Sequence, residues 1–234
     1  MLDRIQHLMD GVKNISNAIA HNIKTPLSLI RNRLEEATRE QPSGSTLASA
    51  SIFSIERIDQ LIVMLEKLLQ IAEAESGTRR QPFTAVNLKE TIQPLLELYD
   101  AAAEEKNIAI TTDIPAHLGI LGDADLLSSA LMNLLDNSLK YAVGGSNIQI
   151  IASEDHNKVT LIVQDNGPGI PAGEHDNILK RFYRLNSQQP GSGLGLAIVM
   201  AFTQLHGGEI FTEDAHPGLR VKMTFPRPAA RSPT

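Results

Sequence analysis

The sequence predicts an α+β protein, a long helical hairpin followed by a mixed α/β domain. Two observations carry this. The first third holds two apolar stripes at steps of three and four residues. Past Thr78-Arg79-Arg80-Gln81-Pro82, helical stripes alternate with short apolar or alternating runs that suit strands.

The first stripe runs Leu2, Ile5, Met9, Val12, Ile19, Ile23 and Ile30, with Ser16 and Pro26 in two of its slots, and reaches about Arg39. Gln41-Pro42-Ser43-Gly44-Ser45 breaks it. The second stripe, Ile52, Ile55, Ile58, Ile62, Leu65, Leu69 and Ala72, stops at Ser76-Gly77, where glycine suits the position after a helix end. Two such helices make an αα-hairpin whose stripes are too wide to cover each other. Pairing two hairpins into a dimeric four-helix bundle covers them, so a homodimer is expected. Residues 1–79 are assigned to this hairpin, 80–226 to the second domain and 227–234 to a disordered tail.

In the second domain, Asn87 with Glu90 three residues on predicts a capped helix to about Glu105. Asn107–Thr112 reads as a strand. Asp123 caps a further helix. Asn147–Ser153 and Lys158–Gln164 form a hairpin around Glu154-Asp155-His156-Asn157. Leu194–His206 is an apolar helix ended by Gly207-Gly208. Glu209–Asp214 and Leu219–Phe225 form a last hairpin around His216-Pro217-Gly218.

A length of 234 residues suits one large domain or two modest ones. Hydrophobic content of 42% and charged content of 21% are ordinary for a globular protein. A formal net charge of −6 and the lack of any long basic tract argue against a nucleic-acid partner. Without cysteine, disulfides, thiol catalysis and cysteine-based zinc sites are excluded. No stretch approaches the ~20 apolar residues of a membrane span. The chain opens in amphipathic helix with no signal peptide, and reads as a piece of something longer.

The helix after Asp123 carries Leu131-Met132-Asn133-Leu134-Leu135-Asp136-Asn137-Ser138-Leu139-Lys140-Tyr141. Asn133, Asn137 and Lys140 fall at i, i+4 and i+7 and share a face, with Leu131, Leu134, Leu135 and Leu139 largely opposite. Two carboxamides and an ammonium in a row suit a hydrated divalent cation and the phosphates it bridges. A solvated polar face is the plainer explanation of that run alone. Asp165-Asn166-Gly167-Pro168-Gly169-Ile170 follows an apolar strand, and its glycines permit close approach of backbone to a ligand. A carboxylate there can accept a hydrogen bond from an exocyclic amine such as that of adenine. Gly191-Ser192-Gly193-Leu194-Gly195-Leu196 bares N–H groups at a helix start, an anion site. Its surroundings fit a dinucleotide fingerprint poorly, and no Gly-Lys-Ser/Thr of a P-loop follows.

Taken together and in this order, Asn133…Asn137-Ser138-Leu139-Lys140-Tyr141, Asp165–Ile170, Arg181-Phe182-Tyr183-Arg184 and Gly191–Gly195 resemble the N, G1, F and G2 boxes of sensor histidine kinases. Ala20-His21-Asn22-Ile23-Lys24-Thr25-Pro26-Leu27 resembles the family's H box. The resemblance implies a Bergerat-type α/β sandwich that binds ATP and Mg²⁺. It puts Asn133 near the metal-bound phosphates, makes Asn137 the Mg²⁺ ligand, and sets Lys140 as a cation near the phosphates. Tyr141 would pack near base and sugar, and Asp165 would read adenine from a turn shaped by Gly167 and Gly169. Gly191, Gly193 and Gly195 would hinge a short, mobile lid, and Arg184 would stand at its base near the γ-phosphate.

The resemblance also makes His21 the phosphoacceptor, a role for which a neutral imidazole is suited near pH 7. Thr25, four residues on, would position a water that hydrolyses phospho-aspartate, implying phosphatase activity beside the kinase. Pro26 removes one N–H and crowds the carbonyl of Asn22, so a bend is expected just after His21. Asn22 is a departure, because the family usually has Asp or Glu there. A carboxamide accepts the imidazole hydrogen bond and cannot act as base. The implied partners are a second copy and a response regulator receiver domain. The implied setting is the cytoplasmic domain of an inner-membrane sensor, attached through segments outside this chain. Two alternatives stay open: a phosphatase-biased regulator with weak autokinase activity because of Asn22, and another ATPase of the gyrase-like superfamily.

Overall fold

The structure, a computed structural model, describes residues 23–38, 44–76, 82–142, 144–186 and 191–227. His21, Asn22 and residues 39–43, 77–81, 187–190 and 228–234 lie outside the described residues, and of the predicted break at 41–45 the last two residues already belong to a helix. Helix α1 covers residues 23–38 and helix α2 covers Gly44–Ser76. The chain divides into two compact units, with the division inside α2 between Glu66 and Lys67.

In the N-terminal unit, α1 is helical through Pro26, and the residue that its ring would crowd is outside the described set. Arg31 pairs with Glu35 at 2.7 Å and Arg33 with Glu36 at 3.1 Å along the exposed face. Ile30, Ala37, Ala50 and Met64 are buried. Ile52, Ile55, Ile58, Ile62 and Leu65, five members of the second apolar stripe, are exposed. Within one chain, that stripe therefore keeps an uncovered apolar face.

The C-terminal unit begins with the last turns of α2. Strand β1 (Thr84–Asn87) pairs antiparallel with β3 (Gly119–Gly122) in a small sheet. The main sheet has the order β2-β4-β5-β7-β6, from β2 (Ala109–Asp113), β4 (Asn147–Glu154), β5 (Lys158–Asp165), β6 (Glu209–Asp214) and β7 (Leu219–Pro226). β2 and β4 are parallel and the other neighbours antiparallel. Alternation along these strands puts Ile148, Ile150, Leu161, Val163, Val221, Met223 and Phe225 on one buried face.

Three helices cover that face: α3 (Leu88–Glu105), α4 (Ala124–Tyr141) and α5 (Gly195–Leu205). Leu88, Leu127, Leu131, Leu135 and Phe202 fill the layer between. Each such side chain contributes about 1.5–3 kcal/mol by leaving water. The Asn87 side chain caps α3 by accepting from the N–H of Glu90, as its sequence predicts. The expected two-layer sandwich and both hairpins are present. The β1–β3 sheet is an addition that no periodicity in four-residue runs announces.

Candidate functional site

The site is built on α4. Asp123 Oδ1 caps this helix by accepting from the N–H groups of Asp125 at 3.0 Å and Leu126 at 3.1 Å. The Asp123 N–H donates to Nε2 of His206, which follows α5, at 3.1 Å. His206 Nδ1 lies 2.7 Å from the Phe202 carbonyl, and its ring stacks on Phe83. With Nδ1 protonated, both contacts are hydrogen bonds, and they tie the start of α4 to the end of α5.

The Asn133–Asn137–Lys140 face lines a cavity of about 410 Å³. Asn133 is only 7% exposed. Its Nδ2 donates to the Ser129 carbonyl at 2.8 Å, which leaves Oδ1 for the cavity, 3.2 Å from Lys67 Nζ. A Cβ on Gly195 would stand 3.3 Å from Asn133 Oδ1 and 3.4 Å from Asn137 Nδ2. Glycine there lets the first turn of α5 approach both carboxamides. Its open N–H groups, with no side-chain cap, suit an anion.

Lys140 Nζ donates to the Tyr141 hydroxyl at 2.8 Å and lies 4.5 Å from the centre of that ring. A Cβ on Gly191 would come within 2.8 Å of the same ammonium. Gly193 has φ +68°, and a Cβ there would stand 2.7 Å from the Phe182 backbone. The Phe182 N–H donates to the Gly193 carbonyl at 2.8 Å, so the F and G2 segments are held together by backbone. Tyr183 donates to Glu174, which holds the Glu174 carboxyl below its ordinary range and the Tyr183 phenol above its own. Arg184 lines the cavity, with Nη2 3.4 Å from the Asn186 carbonyl.

Asp165 ends β5 and lines the same cavity. Its Oδ1 accepts from the N–H of Gly167 at 2.9 Å and of Leu219 at 3.3 Å. Burial pushes its carboxyl above the ordinary carboxylate range, opposed by those two bonds and one from Ser138. Asn166 Oδ1 accepts from the N–H groups of Ser146 and Asn147, both at 2.8 Å, and pins the turn to β4. Gly167 packs against Ala142, where a Cβ would come within 2.5 Å of Cα. Gly169, at φ +70°, passes close to the Gly218 carbonyl. Ile170, Ile178 and Leu219 add apolar wall beside Asp165.

One cavity therefore gathers Asn133, Asn137, Lys140, Tyr141, Asp165, Gly169, Arg184, Gly191, Gly193 and Gly195, with Gly167 behind it. Thr25 is an exposed residue of α1, in the other unit. Sequence reasoning missed Lys67, Ile178 and Leu219 as lining residues. Leu219 follows from the β5–β7 pairing, whereas nothing local marks Lys67.

The family described as histidine kinase-, DNA gyrase B- and HSP90-like ATPase matches residues 122–229. Sensor protein BasS of Escherichia coli is 31% identical over 92% of this chain and 58% of its own length. A structure of the mycobacterial sensor histidine kinase MprB is 31% identical, with a TM-score of 0.54, over 63% of this chain and 99% of that one. The chain belongs to the sensor histidine kinase family. The matched domain is an ATPase domain, so its cofactor is ATP. The fold extends to the histidine kinase ThkA in its complex with the response regulator TrrA, at a TM-score of 0.74 and 22% identity over 97% of this chain and 65% of that one. The chain spans about half the length of the curated relatives it matches. Among the described residues, no helix is long and apolar enough to cross a membrane.

Proposed function

We propose that this chain is the catalytic core of a sensor histidine kinase, with ATP in the cavity on α4 and His21 as phosphoacceptor. The observation that carries the reading is the polar lining of the cavity. Gly191 approaches the Lys140 ammonium and Gly195 approaches the Asn133 and Asn137 carboxamides, while the half-buried Asp165 carboxylate, held by the N–H groups of Gly167 and Leu219, lines the same cavity. Phosphates suit the first group, where N–H groups and an ammonium neutralise charge. An exocyclic adenine amine suits Asp165. A hard divalent cation fits beside the carboxamides. Asn137 Oδ1 would hold Mg²⁺, which would neutralise phosphate charge there, and the absence of a side chain on Gly195 leaves the space beside the two carboxamides unfilled.

An imidazole nitrogen of His21 attacks the γ-phosphorus, an N–P bond forms, the bond to the bridging oxygen breaks, and ADP leaves. The phosphoryl group then passes to an Asp of a response regulator receiver domain. Catalysis rests on positioning and charge neutralisation. Lys140, Arg184 and the start of α5 supply charge, while Gly191, Gly193 and Gly195 let the lid backbone close over the phosphates.

In this reading residues 1–79 dimerise and carry His21, residues 80–226 bind ATP, and 227–234 form a tail. The exposed apolar face of α2 supports a four-helix bundle of two copies. Thr25, one turn after His21, supports phospho-regulator hydrolysis. The setting is cytoplasmic, in a longer inner-membrane sensor. Asn137→Ala tests the reading: it is expected to abolish Mg·ATP binding and self-phosphorylation. Normal binding with a native rate of labelling overturns it.

A second reading rests on Asn22. A carboxamide beside the phosphoacceptor cannot take its proton; an Asp→Asn change behind the catalytic His of a serine protease costs about 10⁴, an upper bound here because the geometry differs. The chain is then a phosphatase-biased regulator. A large gain in autophosphorylation for Asn22→Asp favours this reading, and an unchanged rate removes it.

A further inference from the structure

We propose that Lys67, on the last turns of α2, is a phosphate-binding residue of the nucleotide site. The inference deepens the ATP-site reading and rests on it. The C-terminal unit begins at Lys67, and this side chain lines the cavity together with Asn133, Asn137, Lys140 and Gly195. Its ammonium lies 3.2 Å from Asn133 Oδ1. That acceptor is a neutral carboxamide, and among the described residues Lys67 makes no ion pair. A Cβ on Gly195 would stand 3.3 Å from the same Oδ1, so the ammonium stands beside the open start of α5. A cation, a helix N-terminus and two carboxamides thus converge on one end of the cavity. The combination matches a polyphosphate far better than a neutral solute.

The rest of this stretch of α2 is held without Lys67. Ile71 is 2% exposed and Ala74 is 7% exposed. Ser129 Oγ lies 3.4 Å from Gln70 Oε1, and Arg181 pairs with Glu75. Removing the ammonium leaves that packing in place, so its effect on phosphate is separable from a structural one.

The test is the affinity of the full chain for Mg·ATP, Mg·ADP and adenosine, by titration calorimetry, in wild type, Lys67→Met, Lys67→Arg and Glu75→Ala. Lys67→Met is expected to weaken ATP about tenfold, equivalent to about 1.4 kcal/mol, and ADP about threefold, with adenosine unchanged. Lys67→Arg keeps the charge and stays within about threefold of wild type for all three ligands. Glu75→Ala removes the neighbouring ion pair and leaves the ATP-to-adenosine ratio as it was. The proposal is overturned if Lys67→Met binds ATP like wild type, or weakens ATP and adenosine equally. A wild-type chain that binds none of the three overturns the nucleotide site itself, and this role with it.

Discussion

Oδ1 of Asp165 accepts a hydrogen bond from the backbone N–H of Gly167 at 2.9 Å, so the turn that follows β5 holds the carboxylate in place. Burial nevertheless raises its pKa. The sign follows: the carboxylate takes up a proton at a higher pH than a free carboxyl does. Protonation removes the charge that an adenine amine donates to. ATP affinity is therefore full above the raised pKa and falls as pH drops through it, above the ordinary value of about 4. Asp165→Asn keeps an acceptor and loses this titration, so the difference between the two pH profiles reports Asp165. Asp165→Ala is expected to lose about 1.5–3 kcal/mol of binding. Identical profiles for wild type and Asp165→Asn would count against the assignment.

Gly193 adopts φ +68° directly against the Phe182 backbone. Alanine there costs about 1–2 kcal/mol for the left-handed conformation, before any clash. A Cβ 2.7 Å from a backbone carbon adds strain that no side-chain rotation relieves. Gly193→Ala is expected to weaken ATP at least about tenfold while far-UV circular dichroism stays native. Calorimetric affinity equal to wild type would show that the Phe182–Gly193 contact plays no part in binding.

Asp123 caps the helix that carries both asparagines. Asp123→Ala should lower the stability of the ATP-binding domain by about 0.5–2 kcal/mol in urea unfolding. Nucleotide affinity of the folded fraction should barely change, because Asp123 does not line the cavity. A stability equal to wild type would mean that the two N–H groups find other acceptors at no cost.

Ile55 and Ile62 are 58% and 48% exposed. If a second copy covers them, Ile55→Glu with Ile62→Glu should convert a dimer to a monomer in sedimentation velocity. ATP affinity should remain, since both residues lie outside the unit that holds the cavity. A wild-type chain that sediments as a monomer would remove the four-helix bundle from the account.

Much of the second domain is legible in the sequence because its signals are local. Asn87 and Asp123 announce helix starts, and the alternation through Ile148–Ala152 and Val159–Val163 announces half-buried strands. The four boxes are legible because each is a short motif on its own turn or helix, and the fold gathers them at one cavity. The β1–β3 sheet escapes because four-residue strands are too short to show a period. The burial of Asn133 escapes because helical spacing shows which residues share a face and not what that face meets. Lys67 escapes for a different reason. It reaches Asn133 across 66 residues of sequence, and only the folded chain brings them together.

The measurement closest to the central claim is incubation of the purified chain with γ-labelled Mg·ATP, followed by acid and base treatment of the labelled protein, with His21→Gln in parallel. The label is expected to be lost in acid, to survive base and to be absent from His21→Gln, as an N–P bond requires. A label that survives acid, or that persists in His21→Gln, would contradict phosphorylation of that histidine.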